Sequence, residues 1–363
     1  MVMESGGPPP HLEARAIAMS SCDIPAGTRV LVTGATGFTG SLLTRKLVNA
    51  GTRVHAIARH SSDVSPLEDL EVKWFRGDVF DRETVEAAAE GVEYIFHLAT
   101  AYREGGASGN YFEKVHVDST RLLAHAAAGN QEFRRFVHVS TVGVHGHIEG
   151  EPADEDHPFA PGDPYQQTKA NAETWVREFA RNNGFELTVI RPAGIYGPGD
   201  KRLFKLFKMA AGKYFVLLGN GACLYHLIHV EDLTNILVLS ATHPLAAGEA
   251  FICGNRDPIA LPDIARIVAA ELGHELRIVR LPAWPFFAAA FLCEVICRPF
   301  GLEPPLYRRR VAFFTKDRMF NTNKLRNVLG YHSSYSNQDG LVQATRWYVE
   351  HGWLKGTVHD SST

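Results

Sequence analysis

Tyr165 and Lys169 have the residue types and spacing for proton transfer. Side chains four residues apart lie on one face of a helix, so the spacing brings the ammonium near the phenol. A free tyrosine titrates near about 10. A neighbouring cation favours the phenolate, and the positive ring of an oxidised nicotinamide would add to the effect. Tyr165 then becomes usable as a general base toward an alcohol, or as an acid in the reverse direction. The segment around the pair has a clear helix start: Asp163 can cap it, Pro164 suits the first position, and Gln166 suits the third position of a capping box. About two dozen residues earlier, an apolar strand over Phe136–Val139 ends in Ser140-Thr141. Ligands bind at the carboxyl ends of strands in open α/β sheets. Thr141 could therefore hydrogen-bond a substrate oxygen and orient it toward Tyr165, with Ser140 as the substitute. A tyrosine and a lysine at helical spacing are by themselves common surface residues; the hydroxyl-bearing strand end is what points to chemistry.

A second constellation is the loop Gly34-Ala35-Thr36-Gly37-Phe38-Thr39-Gly40, which follows the apolar run Thr28–Thr33. Glycines at this spacing, between a strand and a helix, let the chain turn tightly and let backbone approach a pyrophosphate. A dinucleotide is the implied ligand. The next strand ends Ile57-Ala58-Arg59, with Ala58 where a carboxylate would bind a ribose 2′-hydroxyl. A guanidinium at Arg59 suits a 2′-phosphate, so the expected cofactor is NADP, with NAD the alternative. A solvated surface arginine is the bland reading of Arg59. Asp78, after Gly77, could accept from an adenine amino group or could be an ordinary turn aspartate.

Short apolar runs alternate with helical stretches: a helix over about 38–50, a strand over 53–58, a strand over 72–75, a helix from Asp81 to near Glu90, a strand over 93–98, a helix over 111–128, then the helix from Pro164 and a strand over 187–190. This alternation predicts a doubly wound parallel α/β sheet of Rossmann type with right-handed crossovers. After Arg191 the pattern loosens into Pro-, Gly- and aromatic-rich segments. The expected division is an extension over 1–26, a dinucleotide-binding domain over 27–190 to which 222–255 returns, a smaller discontinuous substrate domain over 191–355, and a tail over 356–363.

Composition narrows the function classes. The chain has 363 residues, 45% hydrophobic and 21% charged, with a formal net charge of -3. That is ordinary for a soluble protein, and no overall field would attract nucleic acid. Five scattered cysteines (Cys22, Cys223, Cys253, Cys293, Cys297) include no CxxC pair, which reads as free thiols in a reducing, cytoplasmic setting. The Gly-, Pro- and Ser-rich first 26 residues lack a basic start followed by an apolar run and do not read as a secretory signal. His138, His145, His147, His226 and His229 form no closed ligand set by spacing, so no metal is assigned.

Taken together, Thr33–Gly40 (TGATGFTG), Gly77-Asp78, His97-Leu98-Ala99, Ser140-Thr141, Tyr165 with Lys169, Arg191-Pro192, Tyr196-Gly197-Pro198-Gly199 and His229-Val230-Glu231-Asp232 resemble the extended short-chain dehydrogenases/reductases, the superfamily of the NAD-dependent epimerases/dehydratases. The resemblance runs from about residue 28 to 355. It implies that Thr141, Tyr165 and Lys169 are catalytic and that Lys169 also touches the nicotinamide ribose. It further implies cofactor contacts from Gly34, Thr36, Gly37, Phe38, Thr39, Gly40, Arg59, Asp78, Val79, Leu98, Ala99, Thr100, Ser140, Tyr165, Lys169 and Pro192. His145 stands where the family often has tyrosine, and Thr168 stands where serine is usual before the lysine.

Nucleotide-sugar members of the superfamily often carry a diphosphate-gripping arginine in the strand before the Val-Glu-Asp motif, where this chain has Tyr225. Lys201, Arg202, Lys205 and Lys208 lie nearby and could compensate, although a solvated basic helix face explains them as well. The segment Leu281–Cys297 (LPAWPFFAAAFLCEVIC) is apolar enough to line a hydrophobic pocket. It is too short, with Glu294, for a comfortable membrane span. A core helix of the second domain is the favoured reading, and a peripheral membrane contact is the alternative. Pro304–Tyr307, Asn321–Leu325, Leu329–Tyr331, Trp347 and Trp353 resemble the C-terminal region of the 3β-hydroxysteroid (sterol) dehydrogenase branch. The resemblance implies a hydrophobic, sterol- or terpenoid-like partner molecule, with a nucleotide sugar as the alternative substrate and a non-catalytic NADP-binding regulator as a third reading. By analogy with the family, a homodimer is expected.

Overall fold

Strands β1 (Arg29–Thr33), β2 (Arg53–Ala58), β3 (Val72–Arg76), β4 (Tyr94–His97), β5 (Arg135–Val139), β6 (Leu187–Pro192) and β11 (Ala250–Cys253) form one sheet in the order β11-β6-β5-β4-β1-β2-β3. Every pairing is parallel. The structure is a computed structural model and describes residues 24–101, 109–148, 150–219, 221, 223–297, 299, 304–306, 308, 311 and 318–356. The expected extension before Ile24 and tail after Gly356 lie outside the described residues, as do Cys22 and Tyr307.

The central strands are mostly apolar because both faces are covered; β5 and β6 are buried at every position, Arg135, His138, Thr188 and Arg191 included. Alternation divides the side chains between two cores. Val30 and Val32 pack with Leu43 and Leu47 of α1 (Phe38–Asn49). Leu31 and Phe136 pack on the other face with Val85 of α2 (Arg82–Ala89). Asp81 caps α2 by accepting the Thr84 N–H at 3.2 Å. The helix expected over 111–128 is not uniform. A short α3 (Gly109–Glu113) runs into a π-helical turn, Lys114–Asp118, before α4 (Ser119–Ala128). Such turns add one residue to the helical repeat and re-aim a side chain; here the side chain is His116. Helix α5 (Pro164–Asn183) completes this face.

Beyond β6 the chain forms β7 (Gly194–Tyr196), α6 (Phe204–Ala210) and β8 (Tyr214–Leu218). The strand before the Val-Glu-Asp motif breaks at His226 into β9 (Leu224–Tyr225) and β10 (Leu227–His229). The two halves pair differently: β9 runs antiparallel to β12 (Ile259–Ala260), and β10 runs parallel to β7. Helix α7 (Val230–Thr242) then packs Leu233 and Leu237 into the same core as α1. A separate hydrophobic cluster gathers Phe207 of α6, Phe215 of β8, Val268 of α8 (Leu261–Glu271) and, from further along the chain, Leu341 and Tyr348.

Strand β13 (Arg277–Leu281) pairs with β8 and leads into α9 (Trp284–Cys297). The structure corrects the reading of α9 as a core helix. Only Ala290 and Glu294 are buried, whereas Trp284, Phe291, Leu292, Val295 and Ile296 are 50–73% exposed. Sequence hydropathy registers the apolar content but not whether a neighbour covers it. Helices α10 (Asn323–Leu329) and α11 (Asn337–Glu350) close the described chain.

Helix α5 is held to the sheet by a buried ion pair. Arg191 on β6 and Glu173 on α5 are both 0% exposed, with Arg191 Nη2 2.5 Å from Glu173 Oε1. Arg191 also donates to the Glu155 carbonyl at 2.7 Å and to His145 Nε2 at 3.2 Å. The departure at His145 is therefore structural: its ring accepts from Arg191, and burial, with the Arg191 charge second, pushes it down to about 4. Removing one member of a buried pair leaves the other charge unpaired in a low dielectric. Glu173→Ala should cost about 3–5 kcal/mol of unfolding free energy, read by urea denaturation at neutral pH; a loss below about 1 kcal/mol would contradict this account.

Candidate functional site

The loop after β1 is a close backbone crossing. Gly34 adopts φ +73°, and a Cβ placed on it would lie 3.0 Å from the Ala99 nitrogen. A Cβ on Gly40 would lie 2.0 Å from the Gly34 carbonyl oxygen. No side chain caps α1, whose N-cap is Gly37, so its first N–H groups face the loop as an anion-binding end. The glycines are required because backbone crosses backbone here, and the crossing sets the first turn of α1 on the cavity wall. The crossing is locked from below: Thr33 Oγ1 accepts from the Ala99 N–H at 3.2 Å and so donates to His97 Nδ1 at 2.7 Å. His97 Nε2 then donates to Thr120 Oγ1 at 3.1 Å. Burial holds the His97 ring neutral, pushed down to about 3.

The first turn of α5 rises beside this crossing. Asp163 Oδ1 accepts the Gln166 N–H at 3.0 Å, as a cap should. The expected reciprocal bond is displaced by one residue, with Gln166 Oε1 accepting from Gly162 at 2.8 Å. One turn on, Lys169 is 2% exposed and its Nζ donates to the Val139 carbonyl at 3.0 Å. Desolvation lowers Lys169 to about 8, partly opposed by the Glu173 carboxylate. Val139 is the last residue of β5, so this bond fastens α5 over the Ser140-Thr141 end. Thr141 Oγ1 accepts from the Gly143 N–H at 3.1 Å, which leaves its hydroxyl hydrogen to donate elsewhere. Ser140 Oγ is buried and, among the described residues, has no hydrogen-bond partner.

Sequence reasoning missed His116. The π turn turns its ring onto Tyr165, edge to face with centroids 5.3 Å apart. His116 Nε2 accepts from Ala101 N–H and faces the Thr100 hydroxyl, both at 3.1 Å. Its Nδ1 therefore donates to Thr168 Oγ1 at 2.8 Å, and Thr168 donates back to the Pro164 carbonyl at 3.0 Å. Thr168, the other departure from the family pattern, is thus the link between His116 and the turn that carries Tyr165. Burial, with Lys169 second, drives His116 down to about 2. The available signal was His116, Ser119 and Thr120 set among the apolar Phe112, Val115, Val117 and Leu123.

Gly34, Thr36, Gly37, Phe38, Thr39, Gly40, Leu98, Thr100, Ser140, Thr141, Tyr165, Lys169 and Pro192 all line one cavity of about 1530 Å³. That exceeds the roughly 300–1,000 Å³ of a single drug-sized site and leaves room for a dinucleotide and a second molecule. Arg59, Asp78, Val79 and Ala99 are not on its wall. Ala99 is consumed by the Gly34 crossing. Val79 packs against the cluster of Ala101, Phe112 and Val115. Arg59 lies exposed at the end of β2 with its Nη1 3.4 Å from the Tyr111 hydroxyl. Beside it stands a guanidinium the sequence reading overlooked: Arg76 donates to the Arg59 carbonyl at 3.3 Å and to the Ser62 carbonyl at 3.1 Å.

The far end of the cavity is walled by Phe287, Glu294 and Arg308 and by Tyr225, Arg318 and Phe320. Arg318 pairs with β9 through its backbone, donating to the Leu224 carbonyl at 2.9 Å, and its guanidinium lies 6.0 Å above the Tyr225 ring. A cation thus reaches the Tyr225 position from a distant segment, which local sequence could not reveal. Arg202 stands over Phe38 of the glycine loop at 5.9 Å and pairs with buried Asp200, while Lys205 and Lys208 are exposed on α6.

A parallel sheet with a glycine cradle at its switch point defines a Rossmann-type dinucleotide enzyme. Residues 30–254 match the NAD dependent epimerase/dehydratase family, and the chain belongs to it as an NAD(P)-dependent oxidoreductase of the extended short-chain type. It is 39% identical over 337 residues to sterol demethylase protein B of Methylococcus capsulatus, covering 89% of this chain and 99% of that protein. It is 32% identical over 343 residues to the 3 beta-hydroxysteroid dehydrogenase/Delta 5→4-isomerase of Mycobacterium tuberculosis, covering 88% and 90%. The crystal structure of gox2253 superposes with a TM-score of 0.77 at 28% identity, covering 91% of this chain and 100% of that one.

The cradle generates a direct test. Gly40→Ala forces α1 away from the Gly34 carbonyl and should weaken dinucleotide binding at least about tenfold, or ~1.4 kcal/mol. Fluorescence titration with NADPH and NADH would measure it, and unchanged affinity would place the cofactor elsewhere.

Proposed function

We propose that the protein transfers hydride between NADP(H) and a secondary alcohol or ketone on a hydrophobic, sterol- or terpenoid-like molecule, with Tyr165 as proton donor and acceptor. The carrying observation is that Tyr165, Lys169, Ser140 and Thr141 share one cavity wall with the glycine cradle. Relatives named for sterol and 3 beta-hydroxysteroid chemistry support the substrate class, as do the apolar Leu206, Phe287, Phe320 and Trp347 around the remaining space.

When bound, the cofactor supplies or accepts hydride at its nicotinamide ring. The chain's own residues handle the substrate oxygen. Thr141 or Ser140 donates a hydrogen bond that fixes it, and Tyr165 takes or gives its proton. Lys169 lowers the cost of the phenolate by its charge. Its Val139 bond keeps the ammonium in place, and the His116 ring holds the phenol's angle. Tyr165→Phe should cut kcat by about 10²–10⁴-fold with cofactor affinity nearly unchanged; surviving activity would remove Tyr165 from the chemistry. NADPH should be consumed in proportion to product, whereas turnover of a nucleotide sugar without net consumption would favour an epimerase or dehydratase.

The lysine gives the pH dependence its sign. Lys169 must carry its proton to support the phenolate, and its pKa is lowered to about 8. Its contribution is present below that pH and fades as pH rises through it. Stopped-flow rates should show a descending limb near 8 that Lys169→Arg moves upward; a limb that stays in place would assign it to another group.

NADP preference rests on Arg59 and Arg76 at the ends of β2 and β3, where a 2′-phosphate could be met by two guanidinium groups. Arg59→Ala should raise the NADPH dissociation constant about 10–100-fold, the loss of one charged hydrogen bond, and leave NADH binding unaltered. Equal effects on both cofactors would refute the preference.

A further inference from the structure

Arg202 lies between β7 and α6, on the side of the cavity built by the Phe207–Tyr348 cluster. Its guanidinium nonetheless reaches the other side, standing 5.9 Å above the ring of Phe38, the first residue of α1. Both residues line the cavity. The reach is set by Asp200, which is 1% exposed. Asp200 Oδ1 accepts from Arg202 Nε at 3.2 Å and from the Arg202 N–H at 3.1 Å, and Oδ2 accepts from the Leu203 N–H at 3.0 Å. The Asp200 carbonyl accepts from the Tyr348 hydroxyl of α11 at 2.6 Å. Backbone N–H groups thus bond both carboxylate oxygens already, and what the ion pair adds is an aim for the guanidinium. The pair uses Nε, one of the five N–H donors of the group.

The charge of the cavity wall points to an anionic occupant. Among the described residues the wall carries six basic side chains, Arg45, Lys169, Lys201, Arg202, Arg308 and Arg318, against three acidic ones, Asp200, Glu231 and Glu294. The chain as a whole has a formal net charge of -3. A cleft lined by one sign of charge concentrates the opposite one. Four of these cations are directed elsewhere. Arg45 donates to Asp69 and to the Pro66 carbonyl, Lys169 to the Val139 carbonyl and Arg308 to Glu294, and Arg318 lies over Tyr225. Arg202 is the cation that stands over the glycine loop.

We propose that Arg202 closes over the pyrophosphate of the bound dinucleotide, a cation supplied from the second wall of the cavity against the N–H groups at the start of α1. In a Rossmann-type sheet the pyrophosphate lies at the N-terminus of the first helix. A guanidinium donating to phosphate oxygens makes a strong, directional pair. Arg202 therefore holds NAD and NADP alike, whereas Arg59 would act only on the 2′-phosphate. Because Arg202 is mounted through Asp200 on Tyr348, the dinucleotide becomes a tie between the sheet and the second hydrophobic cluster. This inference rests on the dinucleotide of the family and on neither the substrate class nor the NADP preference proposed above.

The test is calorimetric titration of the full-length protein and of Arg202→Gln with NADPH, NADH and ADP-ribose, without substrate, at two salt concentrations. All three ligands carry the pyrophosphate, so the variant should raise all three dissociation constants about tenfold, the loss of one charged hydrogen bond. The salt dependence of binding should become shallower, because one screened charge pair is gone. Arg202 is 38% exposed on its side chain and Asp200 keeps both backbone donors, so the melting temperature of the unliganded variant should not change. If it does fall, Arg202→Lys keeps a cation beside Asp200 and should weaken the same three ligands by a smaller factor, since an ammonium lacks the planar fork. Unchanged dissociation constants overturn the proposal. So does a loss confined to NADPH, which would assign Arg202 to the 2′-phosphate. Equal weakening with the salt dependence intact also overturns it, because the role would then be structural. Wild-type binding is read in the same titration. Absent dinucleotide binding by the wild type would count against the family reading, whereas identical wild-type and variant curves count against Arg202 alone and leave the oxidoreductase proposal standing.

Discussion

A lysine ammonium and a glutamate carboxylate on one face of α5 sit almost wholly out of water, and the site is organised around making that tolerable. Lys169 and Glu173 are 2% and 0% exposed. Buried charge persists only when paired and hydrogen-bonded. Glu173 is met by the Arg191 guanidinium from β6, and Lys169 by the last carbonyl of β5. These partners come from neighbouring strands, so they fix α5 in both rotation and translation on the sheet. Tyr165, one turn before Lys169, is thereby set at the carboxyl edge where Ser140 and Thr141 emerge. The same desolvation that makes Lys169 expensive to charge brings its proton into a range where neutral pH can influence it.

Three buried neutral histidines extend this framework. His97, His116 and His145 each hydrogen-bond to side chains of other elements. In each case the neighbouring donors dictate the tautomer: Thr33 above His97, the Ala101 N–H beside His116, and Arg191 against His145. A neutral imidazole with one donor and one acceptor is directional in a way a methyl group is not. His97 locks the backbone crossing at Gly34, and His116 locks the turn that carries the phenol. Burial keeps all three uncharged, so these bridges do not titrate in the physiological range.

The cavity lies between this rigid sheet edge and a second, more aromatic cluster that contains Phe207, Phe215 and Tyr348. The hydroxyls of Ser140, Thr141 and Tyr165 line the sheet side, and rings and aliphatic chains together with the charged Arg202, Arg308 and Arg318 line the opposite wall. That division suits a reaction in which one molecule is anchored by phosphates and the other by shape and apolar area. Arg318 over Tyr225 and the Arg308–Glu294 pair supply charge at the far end.

Much of this was legible from residue order, because it depends on local chemistry. The glycines of 34–40, the Asp163-Pro164 helix start and the four-residue step from Tyr165 to Lys169 act through neighbours in the chain. So did the apolar strands, whose burial on both faces is written as continuous hydrophobic runs. What stayed hidden depends on partners far along the chain. The break at His226 follows from Arg318 and Phe320 arriving beside it. His116 faces Tyr165 because a π turn rotates it there. The outward apolar face of α9 depends on no described element covering it. Local propensity and periodicity fixed the elements and the chemical groups at their ends. Only tertiary packing decided which buried charges met, which histidines became bridges, and which hydrophobic helix stayed in contact with solvent, because those outcomes are set by what lies opposite a side chain rather than by what precedes it.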